Sequence, residues 1–261
     1  MMSAALANGT WKTTPPAIEA TLGGVRALRF LPPGRVRGTL IHLHGGAFRQ
    51  GCPEMSGPFA IALAVRCAIE VVCPAYRLAP EHPFPAALND ATAVVEALRA
   101  PDRPLLVSGD SAGGGLAAST VRVCLDRGVP VRGLAVLSAW LDLTVSSSSY
   151  EDNACTDQLF SRAAAEEATL LYLQGLSARE PLVSPVLGSV AKFPPTFVSV
   201  GTGEVLADEG RRFYQSLQTA GVRAELSAIP GMEHVAVTRN MQLAGAAQTM
   251  DALVQFIDRV L

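Results

Sequence analysis

The chain is predicted to be an α/β protein with a mainly parallel central sheet covered by helices on both faces. Three observations predict it. Short apolar runs alternate with helix-like segments along most of the chain, and strands buried on both faces of a parallel sheet read as such runs. One run leads through a Gly-x-Ser-x-Gly turn into small residues that open a helix. The length of 261 residues, with 49% hydrophobic and 17% charged residues, supplies the core of one large domain.

Taken in order, the strand candidates are Thr39–Leu43, Ile69–Cys73, Leu105–Ser108, Leu134–Leu137, Phe197–Val200 and Ala224–Ser227. Helical patterns fall near 57–67, 85–99, 112–127, 208–220 and 241–260. Residues 142–185 break this rhythm, with a polar loop around Ser146–Ser149 and one helix-like stretch at 161–174. A connection of that length in a compact domain usually has a task, and the expectation is an inserted cap to which residues 1–20 also contribute. The final helix covers the core or serves as the interface of a homodimer.

A net charge of −2 gives no electrostatic reason to expect nucleic acid or an anionic membrane as partner, which leaves small molecules. The start of the chain lacks the basic and apolar segments of a secretory signal, and no later stretch has the length and apolarity of a membrane span. Five cysteines without Cys-x-x-Cys spacing read as reduced thiols, mostly in the core, and the expected location is the cytoplasm.

Ser111, in Gly109-Asp110-Ser111-Ala112-Gly113, is the candidate nucleophile. The strand-to-helix turn forces it into a strained backbone conformation, and the flanking glycines let strand and helix close up so that its hydroxyl projects. A neutral serine needs a base, usually a histidine oriented by a carboxylate. Of four histidines, His42 lies inside an apolar strand and His82 in a Pro-rich stretch, whereas His234 follows the last strand candidate at the carboxyl edge of the sheet. His234 is therefore the predicted base. Two acids follow the strand before it. Glu204 is closer to the strand end and is favoured, while Asp208 is placed to enter the next helix and stays as the alternative. His44-Gly45-Gly46-Ala47 follows the first strand candidate, and the N–H groups of Gly45, Gly46 and Ala112 are the predicted donors to a developing oxyanion.

Three motifs in order, His44-Gly45-Gly46, Tyr76-Arg77-Leu78-Ala79-Pro80-Glu81-His82-Pro83-Phe84-Pro85-Ala86 with Asp90, and Gly109-Asp110-Ser111-Ala112-Gly113-Gly114, resemble the bacterial hormone-sensitive-lipase-like carboxylesterases of the α/β-hydrolase superfamily. The likeness runs from about residue 36 to the C-terminus. It implies the α/β-hydrolase fold in a single domain with a small helical cap, and a serine esterase with Ser111 and His234 in its triad. The acid of that family aligns with Glu204, a glutamate where aspartate is usual. Ala47 stands where a third glycine is common, and the segment before His44 is short, which implies a reduced cap and a preference for short acyl chains. No metal or organic cofactor is implied. The alternatives are an amidase or formamidase on the same triad, and a non-catalytic ligand receptor of this fold.

Overall fold

A computed structural model describes residues 16–261, and eight strands among them form one sheet. The strands are β1 (Ile18–Leu22), β2 (Val25–Phe30), β3 (Thr39–Leu43), β4 (Glu70–Pro74), β5 (Leu105–Asp110), β6 (Gly133–Leu137), β7 (Thr196–Gly201) and β8 (Ala224–Ile229). Their spatial order is β1-β2-β4-β3-β5-β6-β7-β8. The first two are antiparallel to each other and β2 is antiparallel to β4; the remaining pairs are parallel. The helices are α1 (Gly57–Cys67), α2 (Ala86–Ala97), α3 (Ala112–Asp126), the single turn α4 (Ser149–Asp152), α5 (Arg162–Leu173), α6 (Ala207–Thr219), the single turn α7 (Ala236–Arg239) and α8 (Ala246–Val260). None of the described helices is long and apolar enough to cross a membrane.

Side chains alternate across the strands and divide the core in two. On one face Ile41, Val107, Val136 and Val198 meet Leu88, Val94, Leu116 and Phe213 from α2, α3 and α6. On the other, Leu40, Val71, Leu106 and Phe197 meet Phe59 and Leu63 of α1 and Met250, Leu253 and Phe256 of α8. The final helix thus covers core, and it starts at Ala246, a few residues after the start near 241 that was expected.

The parallel strands that carry the site agree with the sequence reading, but the β1–β2 hairpin was not anticipated. Residues 18–20, expected in the cap, are edge-strand residues of β1 paired with β2, because Gly23 and Gly24 both adopt positive φ and turn the chain back into the sheet. Residues 1–15 of that expectation lie outside the described part. The 142–185 segment contains α4 and α5 and no strand, and a 3₁₀ turn (Pro185–Leu187) begins at its last residue. Its Leu143, Tyr150, Phe160, Ala165, Ala168, Tyr172 and Val183 join the core cluster that covers the α2/α3/α6 face, so the segment packs on the domain as an extension of its interior.

At the opposite edge of the sheet, buried Glu70 is satisfied by Arg29 (2.5 Å), Arg103 (3.1 Å) and Thr39 (3.3 Å), which keeps an otherwise costly carboxylate tolerable there. The cysteines are unpaired, and burial pushes the thiols of Cys67 and Cys124 up to about 12 and about 11, as expected of core residues with little reactivity.

Helix α3 approaches the end of β3 through Gly113, where a Cβ would lie 2.1 Å from the Leu43 carbonyl oxygen and 2.4 Å from that of His44. Both obstacles are backbone, so the helix would have to move. Gly113→Ala is expected to lower stability by about 1–3 kcal/mol or more, read as a reduced denaturant midpoint at unchanged slope. A midpoint equal to that of the unsubstituted protein would show that the α3–β3 contact is slack.

Candidate active site

Three chain reversals at the carboxyl ends of β5, β7 and β8 bring Ser111, Glu204 and His234 together. Ser111 follows β5 with φ +51° and ψ −125°, a backbone state that costs of order 1–3 kcal/mol for a residue with a Cβ. Four backbone hydrogen bonds hold it: its N–H donates to the Leu137 carbonyl (3.0 Å), and its own carbonyl accepts from Gly114 (2.9 Å), Trp140 (2.9 Å) and Gly115 (3.4 Å). Its Oγ lies 3.0 Å from His234 Nε2, and His234 Nδ1 lies 2.8 Å from Glu204 Oε2. With Glu204 accepting, Nδ1 carries the ring proton and Nε2 is free to accept from the serine.

The three groups are nearly sealed from water, Ser111 and His234 at 6% exposure and Glu204 at 1%. Burial works to lower the His234 pKa, but the hydrogen bond and charge of Glu204, with the fields of Asp157 and Asp110, outweigh it and leave the imidazole above its ordinary range. Glu204 is itself held on its other oxygen, where Oε1 accepts from the Gly201 N–H (2.5 Å) and the Ser138 hydroxyl (2.8 Å). Ser138 Oγ also accepts the Val235 N–H at 3.2 Å, so one hydroxyl bridges the acid and the histidine loop. The sequence reading missed Ser138. Its signal was its place, directly after the apolar strand ending at Leu137, on the edge where site residues gather.

Asp208 does not reach the histidine. Its Oδ2 accepts from Ser148 Oγ (2.9 Å) and the Ser149 N–H (3.0 Å), which ties the start of α4 to α6. His42 is a satisfied core histidine, with Nδ1 2.9 Å from Ser108 Oγ and Nε2 3.1 Å from Asp110 Oδ1. His82 is exposed, its backbone N–H bonded to the Leu78 carbonyl.

One of the expected oxyanion donors is corrected. The N–H of Gly45 donates to Asp110 Oδ1 at 3.2 Å, because this glycine packs directly against the Asp110–Ser111 corner. Among the described residues, the N–H groups of Gly46, Ala47 and Ala112 have no protein acceptor. Gly46 at φ +122°, Ala47 at +54° and Phe48 at +61° turn this loop across the end of β5. The loop is braced from behind by Tyr76, whose hydroxyl donates to the His44 carbonyl (2.6 Å) and whose ring stacks on the His44 imidazole at 4.3 Å. Burial depresses the His44 pKa, which keeps this ring neutral, and its Nδ1 lies 2.7 Å from the Gly45 carbonyl.

An aromatic wall adjoins Ser111. The Phe160 ring lies parallel to His234 at 5.9 Å and meets Trp140 edge-on at 5.4 Å; Trp140 neighbours Phe48 at 6.0 Å, and Phe48 stacks on Tyr172 at 3.9 Å. Phe160 and Tyr172 come from the 142–185 segment. Tyr172 is anchored by the Pro-rich block, where the Phe84 N–H donates to its carbonyl (2.9 Å), and Asp90 holds Arg77 of the same block by its backbone and guanidinium.

A model of the α/β-hydrolase fold family matches residues 40–238. An acetyl-hydrolase of Streptomyces hygroscopicus is 34% identical over 226 residues, 85% of this chain and 75% of that protein. An esterase of Acinetobacter venetianus is 31% identical over 240 residues, 90% of this chain and 79% of its own length. Among solved structures, a hormone-sensitive lipase from a metagenome library superposes with a TM-score of 0.90 at 31% identity, covering 94% of this chain and 86% of that one. EstE5, soaked with p-nitrophenyl butyrate, superposes with a TM-score of 0.90 at 26% identity over 99% of this chain and 90% of its own. With its sheet order, its serine turn and these relatives in agreement, the chain belongs to the α/β-hydrolase fold family, in its bacterial hormone-sensitive-lipase-like branch.

Proposed function

We propose that this protein is a serine carboxylesterase that hydrolyses small, short-acyl esters through Ser111, His234 and Glu204. The observation that carries the reading is the unbroken relay from Ser111 Oγ to His234 (3.0 Å) and from His234 to Glu204 (2.8 Å). His234 Nε2 takes the serine proton as Oγ attacks the ester carbonyl, and Glu204 stabilises the imidazolium that forms. The N–H groups of Gly46 and Ala112, with Ala47 beside them, receive the oxyanion; one such donor is worth about 2.7–4 kcal/mol in a dry site. His234 then protonates the departing alcohol, leaving an acyl group on Ser111. A water deprotonated by the same nitrogen attacks this ester, and the acid leaves as the serine regains its proton.

Relatives named acetyl-hydrolase and esterase support ester chemistry. The short-acyl preference is supported by the aromatic wall, since Phe48, Trp140, Phe160 and Tyr172 are each at most 9% exposed and pack on one another beside the serine.

Three outcomes test the proposal. Ser111→Ala is expected to cut hydrolysis of p-nitrophenyl acetate by roughly 10⁴-fold or more with the fold retained, and a fluorophosphonate should label the unsubstituted protein once, at Ser111. Turnover that survives this substitution rejects the nucleophile.

Glu204→Gln is expected to lower kcat by roughly 10²- to 10⁴-fold. Because the base must be neutral, activity falls as pH drops through the raised pKa of His234, so the acidic limb of kcat/KM should lie above the ordinary histidine value of about 6.5. Removing the charge of Glu204 should move that limb to lower pH. Asp208→Asn should leave kcat within about threefold and lower the thermal midpoint instead, and the reverse pattern would transfer the acid role.

Across p-nitrophenyl esters, kcat/KM should rise from acetate to a maximum by about six carbons and then fall, although each further buried methylene could contribute up to about 0.8 kcal/mol in an open apolar tunnel. A value still climbing at ten or twelve carbons would overturn the short-acyl assignment.

A further inference from the structure

The loop that carries Glu204 is tied to the 142–185 segment by more than packing. Asn153 Nδ2 donates to the carbonyls of Thr202 (3.2 Å) and Glu204 (2.7 Å), Thr156 Oγ1 donates to that of Gly203 (2.7 Å), and Ser149 Oγ to that of Val205 (2.6 Å). These contacts all engage carbonyls of the acid loop. The contact to its N–H side comes from Asp157, whose Oδ2 accepts from Val205, the residue after the acid, at 3.1 Å.

Asp157 has a second set of partners. Its Oδ1 accepts the N–H groups of Leu159 (3.0 Å) and Phe160 (3.1 Å). That local turn needs one oxygen, and serine or asparagine could supply it. The second oxygen reaches 48 residues along the chain to the acid loop, which a local turn does not require. The residue ordered by the first oxygen is Phe160, whose ring lies parallel to the His234 imidazole at 5.9 Å. One carboxylate therefore holds both the loop that bears the acid and the side chain that walls the base.

We propose that Asp157 is a positioning residue of the esterase, locking the Glu204 loop to the Phe160 wall so that acid and imidazole keep their register while the serine is acylated and released. This rests on the triad reading above. Asp157 acts through Glu204 and His234 and touches no reacting atom. The charged groups around His234 include Glu204 from the loop after β7, Asp157 from the inserted segment and Asp110 from the end of β5, and Arg239 of α7 donates to the His234 carbonyl (3.4 Å).

The test is Asp157→Asn, alone and combined with Glu204→Gln, assayed with p-nitrophenyl acetate across pH. Asparagine keeps an oxygen for the Leu159–Phe160 turn and loses the second acceptor and the charge. The expected result is a kcat about 10- to 50-fold lower, a KM within about threefold, and an acidic limb shifted to lower pH, with the thermal midpoint close to that of the unsubstituted protein. In the Glu204→Gln background the same change should cost less than about threefold, because the acid that it positions is already lost. A folded Asp157→Asn variant with unaltered kcat and pH profile overturns the proposal, as does a loss that adds in full to that of Glu204→Gln, which marks an independent structural role. If Asp157→Asn does not fold, Asp157→Glu decides: it keeps the charge but lengthens the arm by one methylene, and a several-fold lower kcat supports the proposal while an unaltered one overturns it. Failure of the triad reading shows separately, as turnover that survives Ser111→Ala in the same assay.

Discussion

The carboxylate of Glu204 is the interaction on which the rest of the site depends. It is 1% exposed, and an ion so placed is tolerable only when its lone pairs are used. Here they are, by Gly201 at the end of β7, by Ser138 after β6 and by His234 after β8. Three consecutive strands of the parallel sheet therefore have their carboxyl ends gathered around one side chain. The fourth, β5, is joined through the Ser111 N–H bonded to the Leu137 carbonyl. The parallel run from β5 to β8 is what makes this possible, since the connection after each of these strands emerges on the same edge.

The backbone of Ser111 is the costly part. A positive φ on a serine persists only when its surroundings over-determine it, and they do so from two sides. Helix α3 begins with Ala112 and the three glycines Gly113–Gly115, which let it approach the ends of β3 and the Ala139–Trp140 turn at backbone distance. Trp140 in turn donates to the Ser111 carbonyl and buries its indole against Phe160 and Phe48. The strain at the serine, the glycines of the helix and the aromatic wall are thus one arrangement, and the segment from 142 to 185 is part of it. With Tyr150, Ala165, Ala168 and Tyr172 buried in the same core as α2 and α3, this segment is built as a wall of the domain more than as a lid laid over it.

Much of this was legible in the chain. The parallel strands betrayed themselves as apolar runs because both of their faces are covered, and their ends put Ser111, His234 and the pair Glu204 and Asp208 on one edge by chain order and position alone. The β1–β2 hairpin was missed for the opposite reason: Ile18–Leu22 alternates exposed and half-buried side chains at the sheet edge, so its apolar signal is thin, although Gly23-Gly24 between two alternating runs is a hairpin signature. Asp157 lay in a stretch that reads as polar loop, and nothing local distinguishes a carboxylate that spans to a loop 48 residues away from one that faces solvent.

By itself the sequence determined the fold and the serine turn and singled out His234 as the candidate base, because these follow from periodicity, glycine placement and the scarcity of histidines. The tertiary structure decided which N–H groups face outward at the Gly45–Ala47 loop, taking Gly45 for Asp110, and which of two acids meets His234. It also decided that Ser138 and Asp157 brace the acid from separate segments. Those outcomes depend on directions and separations of a few ångströms between parts of the chain far apart in sequence. A hydrogen bond is made or lost within about half an ångström, a distance that composition and spacing do not encode.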